Sequence, residues 1–133
     1  MKYLLDTNIC IYIIKNNPIT VLNHFNSLVP GDIIISSITL AELRYGVEKS
    51  SHKEKNESAL NEFIIPLEVA PFDEQATHFY GKLITYLEMK GTLIGALDLM
   101  IASHAQSLDV ILVTNNIKEF SRVPKLKIEN WTK

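Results

Sequence analysis

A single cysteine, Cys10, excludes an intramolecular disulfide and points to a reducing compartment. It reads as a small core residue on the first helix. Long apolar runs are missing too: none approaches the roughly 20 residues that a membrane span needs. Asp6 arrives too soon after the first residue for the apolar region of a secretory leader. Net charge is also scarce, since 13 Lys and Arg against 15 Asp and Glu leave −2. Nothing global therefore draws the chain to a polyanion, and nucleic-acid binding has to rest on local cations, a metal or a partner. His24, His52, His78 and His104 show no HxxxH spacing and have no cysteine partner, which argues against zinc. There is no glycine-rich phosphate loop and no GxSxG elbow. What these absences leave is one cytoplasmic domain over residues 1–133, 47% apolar and 21% charged, with enough chain for a single core.

What is present is an alternation. Apolar runs fit buried strands at Lys2–Leu5, Ile33–Ile35 and Val110–Val113, with weaker candidates at Leu67–Ala70 and Leu126–Ile128. Helical stretches lie between them. One runs to Ile14 with Thr7 or Asn8 as cap, and a second opens at Asn17-Pro18, with proline in the first helical position, and runs to about Leu28. A third opens at Ser36 or Ser37, carries Glu42 and ends near Lys49. Residues 50–62 are polar and read as a solvated helix that buries little. Asp73 caps a long helix over Glu74–Lys90, in which Ala76, Phe79, Leu83 and Leu87 form one stripe and Gly91 ends the element. Ala96–Leu108 is the last. Strands alternating with helices predict an α/β domain, a central and mostly parallel sheet flanked by helices on both faces.

Four acids stand at the ends of apolar runs. Asp6 closes the first, Glu42 follows the Ile33 run, Asp98 interrupts Leu93–Ala102, and Glu119 lies just past Val113. In parallel α/β sheets, ligands bind beyond the carboxyl ends of the strands near a topological switch point. Each acid has a simpler use as well. Asp6 can cap the first helix, Thr39-x-x-Glu42 matches a capping box, Asp98 can cap its own helix, and Glu119 can be a surface acid. The site reading accounts for all four with one sheet edge. No Lys or Arg neighbours Asp6 or Asp98 in sequence, and unpaired carboxylates among apolar groups are costly. An oxygen-rich, sulfur-free set suits Mg²⁺, or Mn²⁺ as a second candidate.

Leu4-Leu5-Asp6-Thr7-Asn8-Ile9, Ser36-Ser37-Ile38-Thr39-Leu40-Ala41-Glu42-Leu43, Ile94-Gly95-Ala96-Leu97-Asp98-Leu99-Met100-Ile101-Ala102 and Leu112-Val113-Thr114-Asn115-Asn116 together resemble the PIN-domain ribonucleases. Among these the chain is similar to the VapC toxins of bacterial toxin–antitoxin pairs, in the same order and spacing as far as Val123-Pro124 and Glu129-Asn130-Trp131. The resemblance implies a PIN-like three-layer fold and a Mg²⁺ site held chiefly by Asp6 and Asp98. Glu42 would complete the acidic set, and Glu119 would supply a carboxylate that many PIN domains place where this chain has Asn116. Asn8, Thr114 and Asn116 would support the acids or the metal's waters. Glu42 or Glu119 could take the proton of an attacking water, leaving 5′-phosphate and 3′-hydroxyl ends. The implied partners are RNA (initiator tRNA in some members), a VapB-type antitoxin and a second copy of the chain, with DNA reached only through the antitoxin and no membrane. Lys15, Arg44, Lys118 and Arg122 would grip RNA.

Two other readings compete. Leu5-Asp6-Thr7-Asn8 with the late Val113-Thr114-Asn115 echoes the haloacid-dehalogenase-like phosphatases, with Asp6 as nucleophile, although Asn8 stands where those enzymes usually have a second aspartate. The other is a catalytically silent binding module, which the full set of acids argues against.

Overall fold

The computed structural model describes residues 2–133. Five short strands, β1 (Tyr3–Leu5), β2 (Ile33–Ser36), β3 (Glu68–Ala70), β4 (Ile111–Val113) and β5 (Ile128–Glu129), form one sheet in the order β3-β2-β1-β4-β5. Every pairing is parallel. The chain winds outward from β1 through β2 to β3, then crosses back to lay β4 on the other side of β1. The switch point therefore lies between β1 and β4, where Leu5 pairs with Val113.

The central strands β1, β2 and β4 are apolar on both faces because both are covered. Leu4, Ile34 and Leu112 point into a core shared with Leu83 and Leu87 of α5 (Glu74–Lys90) and Leu99, Ile101, Ala102 and Ala105 of α6 (Ala96–Leu108). Leu5, Ile33, Ile35 and Val113 point the other way. There they meet Ile9, Cys10 and Ile13 of α1 (Thr7–Ile14), Val21 of α2 (Ile19–Asn26), Leu43 of α3 (Ser37–Glu48), and Leu60 and Phe63 of α4 (Lys53–Ile64). Trp131 is fully buried in this second core, against Tyr3 and the His24 ring, so the C-terminal residues close it. A short α7 (Ile117–Phe120) follows β4, with Phe120 buried in the first core. Among the described residues no helix is long and apolar enough to cross a membrane.

Several local expectations shift. Asp6, rather than Thr7 or Asn8, occupies the N-cap of α1, accepting from Thr7 N. Pro18 is the N-cap residue of α2 and lies just outside it. The helix over the polar stretch is real, but it is not merely solvated: Leu60 is 2% exposed and Phe63 9%. These two residues, three apart, form the narrow stripe that α4 lays into the second core. Asp73 does cap α5, accepting from Ala76 N, and Gly91 ends it at φ 67°, a left-handed conformation that glycine adopts without steric cost.

Candidate active site

The switch point brings Asp6 and Thr114 together because each is the residue that leaves one of two adjacent strands. Asp6 N still donates to Val113 O at 2.9 Å, so the backbone there is fixed by the sheet itself. The Asp6 carboxylate is 6% exposed and accepts from two donors, Thr7 N on Oδ1 and Thr114 Oγ1 on Oδ2, both at 2.8 Å. Thr114 Oγ1 also accepts from Asn116 N at 3.0 Å, which commits the hydroxyl's one proton to Asp6. Burial pushes the Asp6 carboxyl up and the two hydrogen bonds oppose it.

Glu42 arrives from the second turn of α3. Ser36 caps that helix, accepting from Ile38 N, so the capping-box reading of Thr39-x-x-Glu42 does not hold. Glu42 Oε1 instead accepts from Thr7 Oγ1 at 2.8 Å, with Thr39 Oγ1 3.4 Å from the same hydroxyl. Thr7 thus touches two acids, one through its backbone and one through its side chain. Sequence reasoning treated Thr7 only as a cap; its 35-residue separation from Glu42 left no local signal.

Asp98 sits in the first turn of α6, whose N-cap is Gly95, so Asp98 does not cap its helix either. It is half-buried, and every influence on its carboxyl raises it. Burial comes first, then the charges of Glu119, Asp6 and Glu42, and the result is about 7. Those causes also show that the fold brings the four acids within electrostatic reach of one another. Glu119, at the third position of α7, is the reverse case. Gly95 N donates to its Oε1 at 2.6 Å and Asn116 Nδ2 to its Oε2 at 2.9 Å, holding its carboxyl below the usual range. Glu119 is thus a partly exposed acid, but one held by two donors.

Asn8 is exposed on the first turn of α1. Asn115 Nδ2 donates to Tyr12 Oη at 2.9 Å, a contact between the segment after β4 and α1 that sequence reasoning also missed. The ion pairs among the described residues, Lys2–Glu68, Lys53–Glu48 and Lys127–Asp109, all lie away from the four acids. Arg122 donates to Leu93 O at 2.9 Å, Arg44 and Lys118 are exposed, and Lys15 lines a groove of about 580 Å³ between α1, α3 and α4 that reaches Glu42. Among the described residues no three His, Cys, Asp or Glu side chains stand as a ready cage. Asp6, Glu42 and Glu119 are each turned to hydrogen-bond donors. The donor chemistry nonetheless fits a hard divalent cation, being all carboxylate with no salt bridge to any of the four among the described residues, although the Arg122 charge is felt at Glu119.

A parallel sheet with acids gathered at its switch point is the arrangement that the resemblance to PIN-domain nucleases implies, and the comparisons bear on the family. The PIN domain model matches residues 3–126. The chain is 52% identical over 134 residues to ribonuclease VapC2 of Rickettsia felis, covering all of both chains. It is 47% identical over 131 residues to the tRNA(fMet)-specific endonuclease VapC of Salmonella typhimurium, covering 98% of each. The crystal structure of VapBC2 from Rickettsia felis bound to a DNA fragment from their promoter contains a similar chain. Its TM-score is 0.93 at 51% identity, with 98% of this chain and 99% of that one covered. The chain therefore belongs to the PIN-domain family, among the VapC ribonucleases. Membership removes the phosphatase alternative.

Proposed function

We propose that the protein is the endoribonuclease toxin of a toxin–antitoxin pair, acting in the cytoplasm and dependent on Mg²⁺ or Mn²⁺. The observation that carries this reading is the gathering of Asp6, Glu42, Asp98 and Glu119 at the β1/β4 switch point with no salt bridge to any of them among the described residues, where burial and then the neighbouring acids hold the Asp98 carboxyl up to about 7. Such a cluster is relieved by a cation or by a proton.

Asp6 and Asp98 would hold the ion. When bound, it supplies polarisation of the scissile phosphate and an acidified water. Thr114 keeps Asp6 oriented, with Asn116 N–H fixing the direction of the Thr114 hydroxyl. Glu42, which accepts from Thr7 Oγ1, would take the proton from the attacking water. Asn8 lies open at the same edge, where it can meet substrate. The substrate is RNA, and initiator tRNA is the first to test because the Salmonella typhimurium relative is named for tRNA(fMet). Exposed Arg44 and Lys118, with Lys15 in the groove, supply the local positive charge that the whole chain lacks.

The partner is a VapB-type antitoxin, in line with the VapBC2 complex of Rickettsia felis, and on this reading the toxin is a homodimer that reaches DNA only through the antitoxin. The groove beside Glu42, floored by Ile11, Ile14, Leu43, Val47 and Leu60, suits an apolar antitoxin segment. An Arg or Lys from that segment would then pair with the acids.

The test is product chemistry on purified tRNA with Mg²⁺ against EDTA. Cleavage should need the metal and leave 5′-phosphate ends that ligate without kinase treatment. Ends bearing 2′,3′-cyclic phosphate would overturn the water-nucleophile mechanism.

A further inference from the structure

Helix α6 begins without a cap of its own. Its N-cap residue, Gly95, has no side chain to offer. Asp98 stands three residues further on, the position from which the acid of a capping box reaches back to the N–H of the capping residue. That N–H is already taken, since Gly95 N donates to Glu119 Oε1 at 2.6 Å across a separation of 24 residues. A Cβ built on Gly95 would lie 3.6 Å from Glu119 Oε1 and 3.7 Å from Asp98 Oδ2. Both carboxylates therefore stand over the same residue, close enough to share a hydrogen bond with one another, and Glu119 alone takes the one N–H there.

Glu119 is well held for this contact. Fully buried Phe120 anchors α7 beside it, and Asn116 Nδ2 takes its other oxygen. Arg122, one turn on, ties the same loop a second time through Leu93 O at 2.9 Å.

We propose that Glu119 is a positioning residue which caps α6 from across the loop, so that Asp98 cannot fold back onto Gly95 N–H and stays turned toward Asp6 and Glu42. On this account its contribution passes through Asp98, and Glu119 need not touch the metal or the substrate. The inference rests on the proposed role of Asp98 in metal binding.

Two substitutions separate this from a direct role. Glu119→Gln keeps an oxygen for Gly95 N–H and removes the charge, with the Asn116 amide free to turn and accept from the new NH₂. Glu119→Ala removes both. In a crystal structure of metal-free Glu119→Ala, the Asp98 carboxylate should sit on Gly95 N–H. Titrated with Mn²⁺ alone and followed by electron paramagnetic resonance, Glu119→Ala should bind roughly 10- to 100-fold more weakly, the usual cost of losing an outer-shell partner. Glu119→Gln should lose far less. Adding Gly95→Pro to Glu119→Ala removes the competing N–H, at a φ of −58° that proline accepts, and should recover binding to the level of Glu119→Gln. The proposal is overturned if Gln costs as much as Ala, or if Asp98 keeps its direction in Glu119→Ala. Should Asp98 fold back while Mn²⁺ binding stays intact, the capping role stands and the metal role of Asp98 is what fails.

Discussion

Asp6 and Asp98 lie within electrostatic reach of one another, and the less buried of the two is the more perturbed. Asp6 is 6% exposed, yet its carboxyl is raised only against the pull of Thr114 and Thr7. Asp98 is half-buried, no donor offsets its surroundings, and it reaches about 7. Burial alone does not set a carboxyl's pKa; the donors that meet the charged form decide how much of the desolvation survives. The sheet edge supplies such donors, because strand ends present backbone N–H groups and a β-branched hydroxyl in fixed places. The start of α6 could have supplied one in Gly95 N–H, but Glu119 has it. One corner of the site is thus a fixed anion, and the other is left wanting a cation.

The largest test breaks the unsatisfied corner. Asp98→Asn keeps size and removes charge, and it should lower cleavage by more than the roughly 100-fold that loss of an outer-shell partner costs. Its metal-free melting temperature at pH 8 should be equal to or above that of the wild type, since a repulsion has gone. Saturating metal should stabilise the wild type by about 2.7 kcal/mol at a hundredfold excess over Kd, and the mutant much less. Equal cleavage and equal metal stabilisation would remove Asp98 from the site.

A smaller effect should come from breaking the satisfied corner. Thr114→Val keeps the shape of a fully buried side chain but strips Asp6 Oδ2 of its donor and Asn116 N–H of its acceptor. Unmet buried polar groups cost about 1–3 kcal/mol, so unfolding by urea should show a loss of that order. Cleavage should fall roughly 10- to 100-fold as Asp6 loses its orientation. A variant that melts like the wild type would mean that Thr114 does not hold Asp6.

Much of the frame was legible because its signals are local. The 96–108 helix, the cap at Asp73 and the stop at Gly91 can be read from neighbouring residues alone. So can the parallel sheet, from central strands that are apolar at nearly every position. The misreadings share the opposite cause. Whether α4 is solvated depends on α1 and α3 meeting Leu60 and Phe63, which no window over 50–62 contains. The partners of Glu42 and Glu119 lie 35 and 24 residues away, so composition placed these acids at the right edge without saying what would hold them. Thr39-x-x-Glu42 shows the limit of a motif: Ser36 caps the helix three residues earlier, and the matching pair falls inside it.

The smallest effect sharpens the comparison most, because it isolates the Asp98 carboxyl by its pH dependence. Folded, that group holds its proton to about pH 7, whereas in the unfolded chain it releases it near 3.8. Between those values the unfolded state binds fewer protons than the folded one, so stability falls as pH rises through the window. Below the lower value both states are protonated and above the upper one both are ionised, so the slope vanishes at each end. Asp6 is also raised and adds the same sign, but it is present in both wild type and Asp98→Asn and largely cancels from their difference. With EDTA present, the melting temperature of Asp98→Asn minus that of the wild type should be smallest near pH 4, grow toward pH 7 and then level off. Saturating Mg²⁺ should shrink or reverse the gap above pH 7, because the ion pairs with the ionised form in the wild type alone. A difference that stays flat across the window would mean that the fold does not raise the Asp98 carboxyl, and that the contrast drawn with Asp6 fails.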